Sequence, residues 1–215
     1  MKPFCSKRRN HGLTLLEVVV VILVLAIVTL MLIPANHSSQ REAMRISCVN
    51  NLKESDLAFR IWEGDNHDLY PMAVARTNGG AMEQAAIGNA TAVFKVMSNE
   101  LSDPRILICP ADEDRVPATN FSAGFSAKNL SYFVGVNASE ANPRRLLAGD
   151  DNFEVGGVPV KSGPLELTTN QPISWSAARH KFCGNVALTD GSIQQITTPG
   201  LQLCLSLATN RIAIP

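Results

Sequence analysis

The chain lacks a surplus of charge of either sign. Its 19 Lys and Arg residues are balanced by 19 Asp and Glu residues, so the formal net charge is zero. Beyond residue 12 the basic residues do not gather into a patch. Proteins that bind nucleic acid use such a patch against the phosphates. We therefore exclude nucleic acid as a partner.

Several motifs that carry chemistry are also missing. No two cysteines have the C-x-x-C spacing typical of zinc sites, and no calcium loop of the EF-hand type is present. There is no glycine-rich phosphate loop, and no serine or cysteine stands in the turn motif of a hydrolase nucleophile. We therefore predict no enzyme, no metal site and no other cofactor.

Two short acidic stretches are present, Asp112-Glu113-Asp114 and Asp150-Asp151-Asn152. A hard-cation site, such as one for Ca²⁺, is one interpretation of them that the family resemblance given below implies. However, neither stretch alternates its ligands along a turn. We expect these acids to be solvated in surface loops.

The dominant feature that is present is a long apolar run near the N-terminus. From Leu13 to Ile33 it consists almost entirely of Leu, Val and Ile. At about 1.5 Å of rise per residue, a helix of that length spans a bilayer core of roughly 30 Å. The sequence therefore predicts a single transmembrane helix over 13–34. Basic residues before it would keep the N-terminus in the cytoplasm and place the rest outside; they are Lys2, Lys7, Arg8 and Arg9.

Glu17 is out of place in this run. A carboxylate deep in a bilayer costs on the order of 2.5–3.5 kcal/mol, so an acid in such a position is presumed functional. A signal peptide explains the run poorly, because its apolar core is only about 7–15 residues long and a small-residue cleavage site follows it. A plain signal anchor explains the orientation but gives no reason for Glu17, or for Gly12 at the polar edge.

The run Gly12-Leu13-Thr14-Leu15-Leu16-Glu17, behind a basic leader and ahead of the apolar helix, resembles the signal of type IV prepilins and type II secretion pseudopilins. The resemblance implies that a prepilin peptidase removes the leader 1–12 by cutting after Gly12, and that the new terminal Leu13 is N-methylated. It also implies a structural subunit of a filament. Its partners would be the peptidase, the inner membrane, and copies of itself or other pseudopilins contacted through the N-terminal helix.

A role for Glu17 follows from the cleavage. The amine of the new terminal Leu13 is a cation inside or beside the hydrocarbon, and the Glu17 carboxylate of a neighbouring subunit can neutralise it. Such a pair would fix the axial register between subunits. Two other functions stay open: an anchored extracytoplasmic protein that never polymerises, and an anchored metal-dependent enzyme.

The chain after the membrane segment divides into a helical spine and a head. Pro34 lacks an N–H and its ring clashes with the preceding turn, so the helix should kink there. Apolar residues then recur at helical spacing, which predicts an amphipathic helix over 35–64. The remaining segment, 65–215, is short of helices and rich in turn signals. The predicted fold class is α+β, with one long N-terminal helix packed on a small antiparallel sheet, as in pilins.

Within the head we expect a helix at 90–101 capped by Asn89, strands at 105–110, 131–136 and 145–149, a surface loop at 156–164 and a terminal helix at 201–210.

The clearest signal in the head is a hairpin. Asp190-Gly191 lies between two runs of strand-forming residues, 185–189 and 192–196. His180 precedes Asp190-Gly191 with the spacing that defines the H-x9-D-G group of pilin-like proteins. The C-x-N-N-L-K run that starts at Cys48 is similar to a run found after the anchor in the same group. We expect a structural hydrogen bond between these neighbouring segments rather than a catalytic pair of His180 with Asp190.

The mature chain would keep four cysteines, because Cys5 leaves with the leader. An even number outside the cytoplasm permits disulfides, and four cysteines allow three pairings. We predict the pair Cys48–Cys109, because a helix face and a following strand often pack together. Buried free thiols are the alternative. The other two cysteines are Cys183 and Cys204.

Overall fold

The computed structural model describes residues 14–32, 35–122, 124–168, 171–207 and 210–215. It divides the chain into two compact units, Met1–Glu42 and Ala43–Pro215. The predicted processing residues Gly12 and Leu13 and the predicted kink at Pro34 lie outside the described residues.

Two helices account for the N-terminal part of the chain. Helix α1 covers Leu15–Leu32 and helix α2 covers Ala35–Asp65. The periodicity that predicted a helix over 35–64 therefore placed α2 almost to its last residue. Among the described residues, no helix combines the length and the apolar character that crossing a membrane requires.

Short helices follow α2. They are α3 (Met82–Ala86), α4 (Ala90–Val96), α5 (Ser98–Leu101) and α6 (Thr198–Leu207), with 3₁₀ turns at Pro71–Ala73, Arg76–Asn78, Pro104–Leu107 and Ala127–Asn129. The cap at Asn89 is confirmed, because its Oδ1 accepts the Ala92 backbone N–H at 3.1 Å. The helix expected at 90–101 is instead split into α4 and α5.

The strand expected at 105–110 is wrong. The proline of Asp103-Pro104 begins a 3₁₀ turn, and the Asp103 side chain caps it by accepting the Arg105 backbone N–H at 2.9 Å. Proline at the first position and an aspartate before it are the ordinary signals of a helical start. The apolar run that suggested a strand is buried in the core through Leu107 and Cys109.

Nine strands form two antiparallel sheets in the described part of the chain. The larger sheet has the order β5-β9-β1-β2-β7-β8 and the smaller has the order β4-β3-β6. The antiparallel α+β class is confirmed. The strands are β1 (Tyr132–Gly135), β2 (Leu146–Asp150), β3 (Phe153–Val155), β4 (Val158–Pro159), β5 (Gly163–Leu167), β6 (Ile173–Trp175), β7 (Cys183–Leu188), β8 (Ile193–Thr197) and β9 (Asn210–Ile214).

The predicted hairpin is confirmed as β7–β8, and Gly191 adopts a left-handed conformation at φ +82° in its turn. Strands β1 and β2 lie where 131–136 and 145–149 were expected. Strand β9 carried no turn signal before it and was not predicted, although it pairs with both β1 and β5. The loop expected at 156–164 contains β4 and the start of β5.

The central strands of the large sheet are buried on both faces. One face packs with α2 and the short helices, in a core that includes Leu52 and Phe59 of α2 and Val134 of β1. The other face packs with the small sheet and α6, in a core that includes Phe133 of β1 and Trp175 of β6. Because side chains alternate along a strand, neighbouring residues of β1 serve the two different cores.

We expect Gly184→Ala to destabilise the second unit. A Cβ at Gly184 would lie 2.3 Å from a ring carbon of Trp175, which is itself buried. Overpacking of this kind costs about 1–3 kcal/mol of unfolding free energy. Urea denaturation of the full chain, followed by tryptophan fluorescence, measures it.

The matched control is Gly64→Ala in α2, where an added Cβ meets nothing within 4 Å. Replacing a helical glycine by alanine stabilises by roughly 0.5–1 kcal/mol. Equal unfolding midpoints for the two variants would contradict the packing described here.

A buried carboxylate lies at the C-terminal end of α2. Glu63 is only 4% exposed, and its Oε1 has no hydrogen-bond partner. Burial raises the pKa of Glu63 from 4.5 to about 7, the nearby Glu140 adds to the rise, and Arg60 opposes it. Between pH 4.5 and about 7 the folded chain therefore holds a proton here that the unfolded chain has released.

The expected consequence is a loss of stability as the pH rises. The Glu63 contribution is fully present below pH 4.5 and is lost as the pH passes through about 7. The Glu63→Gln side chain is neutral at every pH. The unfolding free energy of this variant should therefore rise relative to that of the wild type as the pH increases from 4.5 to about 7. Denaturation curves of both proteins across the range test this. The exposed Glu54→Gln is the control, and parallel pH profiles for Glu63→Gln and wild type would contradict it.

Candidate functional site

The start of α1 is held by a reciprocal pair of hydrogen bonds. The Thr14 backbone N–H donates to Oε2 of Glu17 at 3.4 Å, and the Glu17 backbone N–H donates to Oγ1 of Thr14 at 3.3 Å. This is the arrangement of a capping box, whose T-x-x-E signature was visible in the sequence and was missed. Glu17 therefore has a local role in the helix, beside the role in assembly that remains a prediction.

The surface of α1 is apolar on every side. All its residues from 15 to 31 are exposed, with Leu15 at 86% and Met31 at 73%. The hydroxyl of Thr29 donates to the carbonyls of Leu25 and Ala26, both at 2.9 Å, so it is satisfied within the helix. An apolar surface of this extent marks a site of contact with lipid or with other chains.

A second feature is a buried polar centre in the second unit, which we define as Cys48, Cys109, Asp150 and His180. Cys48 is on α2, Cys109 follows the 3₁₀ turn at Pro104–Leu107, Asp150 ends β2, and His180 is in the loop before β7. One sulfur, nitrogen or oxygen atom from each lies within 4.8 Å of all the others. These atoms are of the types that bind transition metals.

The sheet register positions the carboxylate of this centre. Tyr132 of β1 pairs with Asp150, and the pairing of β2 with β7 puts Asn185 on the other side. The backbone N–H and the side-chain Nδ2 of Asn185 donate to Oδ2 of Asp150 at 2.7 and 2.9 Å. The other oxygen, Oδ1, accepts a hydrogen bond from the Cys48 thiol, with Sγ 3.4 Å away. The carboxylate is thus fixed, with Oδ1 turned toward α2.

The histidine closes the other side of the centre. His180 Nε2 lies 3.2 Å from Cys109 Sγ and 3.5 Å from Oδ2 of Asp150. The side chains of His180 and Asp150 are 2% and 0% exposed, so water is excluded. This contact was not visible in the sequence, because the four residues are far apart along the chain and have no fixed spacing.

The loop that carries His180 is strained. Arg179, Lys181 and Phe182 all have left-handed backbones, at φ of 63°, 51° and 62°. Each such residue costs of order 1–3 kcal/mol, and such outliers cluster at functional sites. The surrounding contacts must therefore hold this loop in place.

The contacts in the centre alter the pKa values of its thiols in opposite directions. The hydrogen bond with Cys48 and the contact with His180 together lower the pKa of Cys109 to about 6, against the effect of burial. The same contact with Cys109, together with burial, raises the pKa of Cys48. Burial alone would lower the pKa of His180, but Cys109 and Asp150 raise it. The structure therefore favours a thiolate at Cys109.

An ion-pair network lies beside the centre. Arg179 contacts Oδ2 of Asp112 at 2.6 Å and Oδ1 of Asp151 at 2.7 Å, and Arg115 contacts both aspartates. The expectation of solvated acids is wrong at these positions, since Asp112 and Asp151 are 7% and 6% exposed. The fold brings Arg179 to both aspartates, and it joins Arg115, which is only three residues from Asp112, to Asp151. Because Arg179 precedes His180, the network also holds the strained loop.

The H-x9-D-G residues take part in two separate structures. Asp190 caps its own turn by accepting the Ser192 backbone N–H at 2.9 Å, and Gly191 packs against Arg60, whose Nη2 would lie 2.5 Å from an added Cβ. His180 hydrogen-bonds with Cys109 instead of the hairpin. The expected hydrogen bond between the histidine and the hairpin segment is therefore replaced by one to a distant part of the chain.

The predicted disulfide partners are neighbours, but they are not bonded. Cys48 and Cys109 are free thiols in this structure, as are Cys183 and Cys204. The Cys48–Cys109 disulfide stays a prediction, and the alternative of buried free thiols describes the geometry shown here.

Comparison with known proteins concerns the N-terminal segment alone. No curated protein and no solved structure is significantly similar to the chain. Residues 7–33 match the family described as the prokaryotic N-terminal methylation motif. This match covers the end of the basic leader and all of the apolar run from Leu13 to Ile33, and it does not reach the buried polar centre. The chain thus carries, at its N-terminus, the prepilin-type signal of the type IV pilin and pseudopilin family.

Proposed function

We propose that this protein is a structural subunit of a pilin-like filament, in a type II secretion or type IV pilus-like system. The methylation motif at 7–33 carries the proposal, because it is the signal that a prepilin peptidase cleaves and methylates. The proposal assigns no catalytic step to the chain. Force and ATP hydrolysis come from other proteins of such a system.

The apolar surface of α1 supports this role. A helix that is apolar all round is stable in water only when other apolar groups cover it. Before assembly the lipid of the inner membrane covers the segment 13–34, with the N-terminus in the cytoplasm and the head outside. After assembly the equivalent helices of neighbouring subunits replace the lipid. The same surface therefore serves as anchor and as polymerisation interface.

Glu17 gives the assembly its register. Cleavage after Gly12 leaves a cationic amine on Leu13, and the Glu17 carboxylate of the adjacent subunit neutralises it. The capping contact with Thr14 holds this carboxylate at the start of α1. Two charges in an apolar environment are stable only as a pair, so subunits that are shifted along the filament axis are disfavoured.

The test separates the charge of Glu17 from its capping role. Glu17→Gln keeps an oxygen that can accept the Thr14 N–H but loses the charge, whereas Glu17→Ala loses both. We expect both variants to insert into the membrane and neither to enter filaments, as judged by electron microscopy and by immunoblots of sheared filaments. The exposed Glu54→Gln on α2 is the control and should assemble normally.

Filaments that contain Glu17→Gln at wild-type levels would show that the charge is dispensable, and would overturn the charge-pairing mechanism. Mass spectrometry of the wild-type N-terminus tests the wider proposal. A methylated Leu13 is the expected result. A chain that still begins at Met1 would refute the filament role, and a methylated chain absent from every filament would indicate an anchored protein that does not polymerise.

A further inference from the structure

We propose that the buried polar centre of Cys48, Cys109, Asp150 and His180 is a structural zinc site. Two sulfur atoms, one imidazole nitrogen and one carboxylate oxygen form a ligand set that Zn²⁺ accepts, and four protein ligands complete its preferred tetrahedron. No metal was predicted from the sequence, because no two cysteines have the C-x-x-C spacing. In the fold, the four ligands come from four different segments.

The distances between the donor atoms match those in a tetrahedral site. Zinc bonds of about 2.0–2.3 Å place neighbouring ligand atoms about 3.3–3.8 Å apart. Here Cys109 Sγ is 3.2 Å from His180 Nε2, and Oδ1 of Asp150, the oxygen left for the metal, is 3.4 Å from Cys48 Sγ. All four donor atoms fall within 4.8 Å of one another. Small side-chain movements are enough to close the tetrahedron.

The residues around the centre orient the ligands as the second shell of a metal site does. Asn185 donates to Oδ2 of Asp150 twice, which leaves Oδ1 for the metal. Its Nδ2 also lies 3.5 Å from Cys48 Sγ, as does Oη of Tyr132. Both groups can donate a hydrogen bond to a zinc-bound thiolate.

The charge and proton balance can be written out. Zinc binding replaces two protons, one from the Cys48 thiol and one from the Cys109–His180 pair, and it requires no oxidant or reductant. The metal then faces two thiolates, one carboxylate and a neutral imidazole. The net charge that remains is −1, and Arg179 in the adjoining ion network lies close enough to interact with Asp150.

The site is structural rather than catalytic. With four protein ligands and side chains that are almost fully buried, it has no open position for water or substrate. Its ligands join α2, the segment after the 3₁₀ turn, strand β2 and the strained loop before β7. Zinc would therefore fasten the helix to the sheet, and would hold the left-handed residues on both sides of His180 in place.

A disulfide between Cys48 and Cys109 excludes this site, because it uses the same two sulfur atoms. Zinc content and free-thiol content are therefore measured on the same sample. The full chain is purified in detergent without chelators. We expect about one zinc ion per chain by elemental mass spectrometry. Alkylation of the denatured protein should then find Cys48 and Cys109 as free thiols.

Matched variants identify the ligands. Cys109→Ser and His180→Ala should lose zinc, whereas His180→Cys supplies a substitute ligand and should retain it. The controls are His67→Ala, on an exposed turn, and Cys204→Ser, on α6. Both should keep the full zinc content. Retention of zinc by Cys109→Ser and His180→Ala would overturn the assignment.

The wild-type chain provides a test that does not depend on the folding of variants. After removal of zinc with a chelator under reducing conditions, added Co²⁺ should give the visible absorption of a tetrahedral thiolate complex, and the melting temperature should fall on removal and recover with zinc. A folded, reduced wild-type chain that binds neither Zn²⁺ nor Co²⁺ would refute the site, as would a Cys48–Cys109 disulfide in the isolated protein. These readouts are independent of filament assembly.

Discussion

The burial of the Asp150 carboxylate is the constraint on which the second unit depends. A carboxylate taken out of water is stable only if hydrogen bonds or opposite charges replace its hydration. Here the partners come from three directions, namely Asn185 on the adjacent strand, Cys48 on α2 and His180 on the strained loop. Each partner fixes one element. The Asp150 carboxylate therefore sets both the register of the sheet and the position of α2 on it.

The two faces of the large sheet are stabilised in different ways. The face toward the small sheet and α6 is covered by an apolar core that includes Phe133, Phe153 and Trp175. The face toward α2 combines an apolar core with the polar centre. Apolar packing supplies most of the stabilisation and tolerates small shifts, whereas a buried polar centre is stable in only one arrangement of its partners. The second face is therefore the one that specifies the position of the helix.

The two units of the chain rely on different physics. The second unit covers most of its own apolar groups, and it pairs the buried carboxylates of Asp112 and Asp151 with its own arginines. The apolar surface of α1, by contrast, is exposed along its whole length and needs lipid or other chains to cover it. A subunit of this design can keep its head folded while the medium around its N-terminal helix changes. This separation is what the proposed passage from membrane to filament demands.

Local signals explain which elements were predicted correctly. The period of α2, the Asn89 cap and the Asp190-Gly191 hairpin each depend on residues close together in sequence. The strand expected at 105–110 does not form, because Asp103 and Pro104 start a 3₁₀ turn that takes up most of the apolar run. Strand β9 was missed because it is defined by its neighbours β1 and β5 and not by a pattern of its own.

The prepilin-type signal, the long apolar segment and the α+β class could be predicted from the residue order, because each depends on patterns within contiguous residues. The folded chain was needed to find that Cys48, Cys109, Asp150 and His180 meet, and that Asp112 and Asp151 are buried with Arg115 and Arg179. Hydrogen bonds and ion pairs of this kind depend on distance in space. No periodicity or spacing encodes a contact between residues that the chain brings together only after the sheet has formed.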